Sequence, residues 1–316
     1  LALETSIGAT GYNYYAQEGI SELKGGSGIW FNDYVIYLSV AQNSPKMWAV
    51  LNNKYAIASK KSDAEGLKLI NRFKDCRDCP IWEAFGPYLY NNTFYVPRYY
   101  VAPNSILVVG DNQLVQQLIF GIMSQNWQPN TSVLIEGTKI NDYELSFLKT
   151  FDIIFLAKDS VDDSSIGKLK EYVDENGIIV PDLFNGQNTV SEDEINKLFN
   201  KTTGNFTEIK TKSYENNKVV LELNGQKGWL AASERFVDFP GWKASINGKD
   251  VKMHMANNII TAVYLDGQSG ELVFEYKPKS YSRGKLITVI SSTIILLYFA
   301  YLIYYKKFKK GGPNQT

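Results

Sequence analysis

The twenty residues from Leu286 to Tyr305, LITVISSTIILLYFAYLIYY, contain no charged side chain. Wound as a helix they would run about 30 Å, the thickness of a bilayer's hydrocarbon core. The segment is apolar on every side, and its tyrosines gather toward one end, a pattern that suits lipid better than a protein interior. A transmembrane helix is therefore predicted over residues 284–306. Arg283 and Lys285 precede it, but Lys306, Lys307, Lys309 and Lys310 follow at once. The denser basic cluster stays on the cytoplasmic side of a membrane. The expected arrangement is a single-pass protein of the cell membrane with the bulk of the chain extracytoplasmic and residues 307–316 as a basic cytoplasmic tail.

The chain begins at Leu1, with neither a methionine nor a charged, apolar leader. A signal peptide or a larger membrane region is expected to have preceded it. Four sequons fit an extracytoplasmic location, at Asn91, Asn130, Asn200 and Asn205, none with proline in the middle position. The two cysteines, Cys76 and Cys79, lie in KDCRDCP. A zinc site needs four ligands, and the chain offers only one further candidate, the distant His254. A small structural disulfide loop suits the compartment, with a redox pair as the alternative. No metal and no cofactor is expected.

Lys plus Arg and Asp plus Glu both number 33, so no net field favours nucleic acid. Residues 1–103 read as an aromatic-rich, irregular α+β region broken by Gly and Pro, where Tyr and Trp either pack a loop-rich core or present rings to a sugar. Residues 104–203 change character. SILVVG, SVLIEG, FDIIFLA and IIVPD read as buried strands, and helical spacing falls between them at Gln113–Gln125, Asp142–Lys149 and Ser164–Asn176. That alternation predicts a Rossmann-like α/β domain with a parallel sheet. Its first turn, Gly110-Asp111-Asn112-Gln113, lacks the GxGxxG that admits a pyrophosphate. Residues 204–280 carry short strands separated by Asn224-Gly225, Asn247-Gly248 and Asp266-Gly267, which predicts a small antiparallel β-sandwich.

Two resemblances arise from these segments. FDIIFLA followed by a helix and an IIV strand is similar to class I glutamine amidotransferase-like domains. Those enzymes need a cysteine nucleophile with a histidine base, and no Cys or His lies between residues 104 and 203. In the C-terminal third, Phe239-Pro240-Gly241-Trp242, Asn247-Gly248-Lys249, Ala256-Asn257 through Leu265, and Val273 through Gly284 resemble the last extracytoplasmic domain and final helix of YfhO-like membrane proteins, within the GT-C glycosyltransferase class. Upstream, LNNKYAIA and NNTFYVPRYYVAPN resemble further segments of that family. The resemblance implies a system that takes a sugar from a polyprenyl-phosphate donor outside the membrane. Family catalysis lies between N-terminal spans that this sequence does not contain, so no catalytic residue carries over.

Asp159, Asp162 and Asp163 follow the third α/β strand, where open sheets bind ligands; they serve either a cation or sugar hydroxyl, or as caps with Ser164 and Ser165. The functional expectation is a membrane-anchored binding or scaffold module without its own catalytic centre, with a structural or accessory subunit of a surface complex as the alternative. Membrane lipid, other membrane or cell-surface proteins and glycan are its expected partners.

Overall fold

The computed structural model describes residues 2–3, 21–22, 32–58, 61–73, 88–125, 127–157, 160–181 and 204–309. Its strands are β1 Ala2–Leu3, β2 Ser21–Glu22, β3 Tyr55–Ala58, β4 Leu67–Arg72, β5 Tyr88–Asn92, β6 Tyr99–Val101, β7 Asn104–Val109, β8 Ser132–Gly137, β9 Ile153–Leu156 and β10 Ile178–Pro181, then β11 Thr207–Glu208, β12 Thr211–Glu215, β13 Lys218–Asn224, β14 Lys227–Ala232, β15 Trp242–Ile246, β16 Lys249–Val251, β17 His254–Ala256, β18 Ile260–Asp266 and β19 Ser269–Tyr276. The α-helices are α1 Asn32–Val40, α2 Pro45–Val50, α3 Asn112–Ser124, α4 Leu145–Leu148, α5 Ile166–Asp174 and α6 Lys279–Lys309.

The expectation of a Rossmann-like parallel domain followed by a separate sandwich is corrected by the sheet topology. Strands β7, β8, β9 and β10 are parallel to their neighbours, but they do not form a sheet of their own. They are one end of a nine-stranded mixed sheet ordered β10-β9-β7-β8-β17-β18-β14-β6-β11. From β17 onward every pairing is antiparallel. The physical reason lies at the outer edge of β8. An open strand edge presents unpaired backbone groups that some neighbour must satisfy, and β17 supplies that neighbour through a single register pair, Ala256 opposite Ile135.

One side chain reinforces this seam. The Leu134 N–H donates to Asn257 Oδ1 at 2.9 Å, and the Asn257 N–H donates back to the Leu134 carbonyl at 2.8 Å. Asn257 and Asn258 both take positive φ, 48° and 61°, which asparagine tolerates better than most side chains. Asn258 Nδ2 then donates to the Gln116 carbonyl in α3 at 2.8 Å. Two adjacent asparagines thus fasten the antiparallel part to the parallel strands and to the helix that covers them.

The five-stranded antiparallel sheet β12-β13-β19-β15-β16 packs against the antiparallel half of the mixed sheet. Leu221, Ile246 and Phe274 from the smaller sheet share a core with Tyr99, Leu230 and Val263 from the larger one. Two layers do therefore face each other, but one of them belongs to the same sheet as the parallel strands, and Tyr99 comes from β6, ahead of residue 104. A larger core beneath α3 joins Ile106, Leu134 and Phe155 to Tyr37 and Trp48 of the N-terminal region. There the Tyr37 hydroxyl donates to Met47 O at 2.8 Å and Trp48 Nε1 to Ala41 O at 2.6 Å, so both rings are built into the core.

Helix α6 is 31 residues long and stands apart from these layers. It is long and apolar enough to cross a membrane, and its apolar side chains are exposed, Leu296 at 69 % and Ile303 at 69 %. Only Lys277 and Pro278 separate it from β19.

Candidate functional site

The parallel strands end in an open cleft of about 540 Å³ lined by Gly110, Asp111, Asn112, Thr138, Lys139, Asp142 and Ser160 among others. Gly110 is required there: a Cβ would lie 2.7 Å from Ala157 Cβ, because the ends of β7 and β9 converge. The cleft occupies the position where open sheets take ligands, beyond the carboxyl ends of strands whose connections diverge. Its polar groups are already engaged. Asp111 caps α3 by accepting the Gln113 N–H at 3.1 Å, so a carboxylate already sits where a phosphate would bind the helix N-terminus. Asp142 accepts from the Thr138 hydroxyl at 2.6 Å and the Lys139 N–H at 3.2 Å, which hold its carboxyl below the ordinary range. Lys139 is the one cation in the lining, against two carboxylates. This chemistry suits a neutral, hydroxyl-bearing ligand better than an anion.

Asp162 sits beside the cleft in a cluster of its own. It accepts from Asn141 Nδ2 at 2.6 Å, the Ser164 hydroxyl at 2.7 Å, the Ser165 hydroxyl at 2.7 Å and the Ser165 N–H at 3.0 Å. The two serine hydroxyls, first of all Ser164, drive its carboxyl well below the usual carboxylate value. These bonds tie the start of α5 to the turn after β8. Asp163 is exposed and Asp159 lies outside the described residues. The described residues contain no group of three His, Cys, Asp or Glu arranged to hold a metal ion.

The sequons differ in presentation. Asn91 is half-buried in β5, the central strand of a three-stranded antiparallel sheet with β3 and β4 on either side. At Asn130 the side-chain oxygen is buried. Asn205 is exposed, its Oδ1 accepting only the adjacent Phe206 N–H at 3.0 Å. Asn200, Cys76 and Cys79 lie outside the described residues. If the chain passes through a glycosylating compartment, Asn205 is the described site that should carry sugar. Substituting Asn205→Gln should then remove one glycan's mass, whereas Asn130→Gln should leave the mass unchanged; gel mobility before and after deglycosylation checks this.

His254 is enclosed by rings. Its imidazole stacks on Phe147 with 5.3 Å between centroids and meets Trp229 edge-on at 5.2 Å, while Tyr143 stacks on the far side of Phe147 at 4.9 Å. Burial first, and the Lys252 charge second, push its pKa down to about 4. It is therefore neutral at neutral pH. Because the unfolded chain binds the proton more tightly, stability should fall as pH drops from about 6.5 toward 4, by roughly 2 kcal/mol after discounting for remaining exposure. Denaturation of the parent and of His254→Phe across that window checks this: the variant should lose that component.

Three carboxylates distant in sequence interact across the two halves: Glu136 of β8, Asp238 of the single turn Phe236–Asp238, and Asp33 at the start of α1. Burial, then Asp238, then Asp33 raise Glu136 to about 7. Glu234 is a second mostly buried acid, accepting from the Tyr99 hydroxyl at 3.4 Å and the Tyr214 hydroxyl at 3.1 Å, with Arg98 Nε 3.6 Å away. Burial raises its pKa and Arg98 opposes the rise. Neither acid stood out in the sequence, although Glu136 interrupts the apolar run SVLIEG.

The last feature is a turn at the root of α6. Gly241 has φ +118°, and a Cβ there would lie 2.9 Å from Pro278 Cα and Cβ. Its carbonyl accepts the Lys277 N–H at 2.7 Å. Trp242 packs on Phe236 at 4.4 Å and on Tyr276 at 5.6 Å, and it pairs with Tyr276 across the β15–β19 ladder. The folded layers are thereby joined to the apolar helix without a flexible linker.

No protein-family model, curated protein or solved structure matches the chain.

Proposed function

We infer that the chain is a membrane-anchored extracytoplasmic module that binds and positions other components and has no catalytic centre of its own. Its resemblance to the C-terminal region of YfhO-like proteins of the GT-C class suggests that those components belong to a lipid-linked sugar transfer system. The observation that carries the reading is the passage from β19 through Pro278 into α6, with Gly241 packed on that proline. A scaffold that must present a surface at a fixed height and angle needs such a junction, because a flexible linker would scatter both. Exposed apolar side chains along α6 supply the anchor. The hydroxyl-suited cleft at the parallel strand ends supports glycan as a ligand, and the basic residues from Lys306 onward favour a cytoplasmic C-terminus.

The test is to extract the protein from its own membrane in mild detergent and to determine the mass and contents of the particle. A larger assembly that retains other membrane proteins or lipid-linked sugar supports the reading. A homogeneous particle holding this chain, detergent and bulk phospholipid alone contradicts it.

A further inference from the structure

Residues 279–285 of α6, KSYSRGK, precede the uncharged stretch and carry Lys279, Arg283 and Lys285 with no acid among them. These three cations form no ion pair with any described residue, whereas the neighbouring Lys277 pairs with Glu275 at 2.6 Å. From Leu286 back to Pro278 the helix climbs about 12 Å. The polar headgroup layer of a leaflet is about 5–8 Å deep. The three cations therefore fall within or just above that layer, and the Phe239–Trp242 turn, packed on Pro278, lies about 4–7 Å beyond it. Long basic side chains extend several ångströms toward their counterions. The turn presents exposed Pro240 and half-buried Trp242, which packs on Tyr276, itself 40 % exposed, while Tyr281, about one helical turn from Pro278 toward the membrane, is 72 % exposed. Rings with a polar edge settle at membrane interfaces, and ammonium and guanidinium groups bind phosphate.

We propose that the collar of Lys279, Arg283 and Lys285, directly beneath the Phe239–Trp242 turn, binds the phosphate headgroups of anionic lipids in the leaflet facing the folded layers and so holds the turn close over them. The inference rests on α6 being a membrane span. Its occupant is lipid rather than protein because the surface continues the helix directly into the headgroup layer, and because its charge is uncompensated and of one sign. Binding there fixes the tilt of the folded layers, since the turn and the helix start are locked together through Gly241 and Pro278.

The experiment places a nitroxide at Pro240→Cys or, should that variant not fold, at Tyr281→Cys, with Asn224→Cys at the far end of β13 as the control. The background is Cys76→Ser with Cys79→Ser. Asn224 pairs with Ser269 at the start of β19, about 23 Å of strand away from Tyr276. The full chain is inserted in nanodiscs of phosphatidylcholine with or without phosphatidylglycerol, and collisions with a water-soluble nickel complex are measured. In anionic discs the label by the turn should be shielded at least about threefold relative to residue 224. Replacing Lys279, Arg283 and Lys285 by Gln should remove most of that shielding. Equal access at both labels, or shielding unchanged by the Gln substitutions, overturns the proposal. A chain that does not enter discs at all and remains monomeric in plain buffer overturns the anchoring itself, so the two failures are distinct.

Discussion

Replacing Asn257 by Ala should destabilise the folded layers by about 2–4 kcal/mol, one of the largest losses available from a single polar side chain in this protein. Two effects add. The buried Leu134 N–H loses its acceptor, which costs about 1–3 kcal/mol. Alanine must also hold φ near 48°, which costs it about 1 kcal/mol more than asparagine. Asn257→Gly separates the terms, because it relieves the backbone but still leaves Leu134 unsatisfied; it should fall between the parent and the alanine variant. Chemical denaturation of the three proteins in the same detergent checks the order. The parallel strands should also exchange their amide hydrogens faster in both variants, since the seam beside β8 would be loosened. An unchanged midpoint for Asn257→Ala would mean that the single register pair at Ala256 and Ile135 holds the two halves together without this side chain.

Replacing Glu136 by Gln should do the reverse above neutral pH. Its folded pKa of about 7 lies above the ordinary carboxylate value, so the folded state holds the proton more tightly than the unfolded chain does. Stability from this group is complete below about pH 4.5, declines as pH rises to 7, and stays reduced beyond. Glutamine has the shape of the protonated acid and no charge to bury. The variant should therefore match the parent near pH 4 and exceed it by about 2–3 kcal/mol at pH 8. Denaturation at the two pH values checks both halves of the claim. His254 acts over an overlapping window with opposite sign, so the parent's own pH profile will be shallower than either component, and the single variants are needed to resolve them. An acid kept at such a cost beside Asp238 and Asp33 links β8, the turn before the FPGW segment and α1 in one electrostatic unit. Functional sites are where such costs are retained.

The strands of this fold were legible one at a time, and their arrangement was not. SILVVG, SVLIEG, FDIIFLA and IIVPD are apolar runs of strand length, and each does contain a strand, β7, β8, β9 and β10 in turn. The hairpin dipeptides also mark real turns, with Gly225, Gly248 and Gly267 all at positive φ. Periodicity reports which way a side chain faces, but nothing about which strand lies across an edge. The pairing that merges the parallel strands into a mixed sheet depends on β17, three residues of HMA with no strand-like alternation. Its turn, Asn257-Asn258, has no glycine and so lacks the usual hairpin signal. β6, three residues long and just before the strand run, gives equally little warning that it pairs with β14 more than a hundred residues later.

The candidate sites divide in the same way. Asp162 was visible as a polar residue ahead of a helix, and its bonds to Ser164 and Ser165 are local. The FPGW segment was visible as a motif, but what it touches, Pro278, lies 37 positions after Gly241 and acquires meaning only when β15 and β19 pair. Glu136 could be seen as a charge in an apolar strand, yet the burial that chiefly raises its pKa and the carboxylates that add to it, about a hundred residues away on either side, arise only in the fold. Local chemistry was readable, and properties that arise from long-range contacts required the structure.

We propose that α6 crosses a membrane with the folded layers outside. It is tested most directly by protease treatment of sealed, right-side-out vesicles that carry the full chain with an epitope tag after Thr316. Protease should remove the folded layers from intact vesicles and leave a protected, tagged fragment of α6 and the tail, which is lost once detergent opens the vesicles. Loss of the tag from intact vesicles, or survival of the whole chain until they are opened, would contradict it.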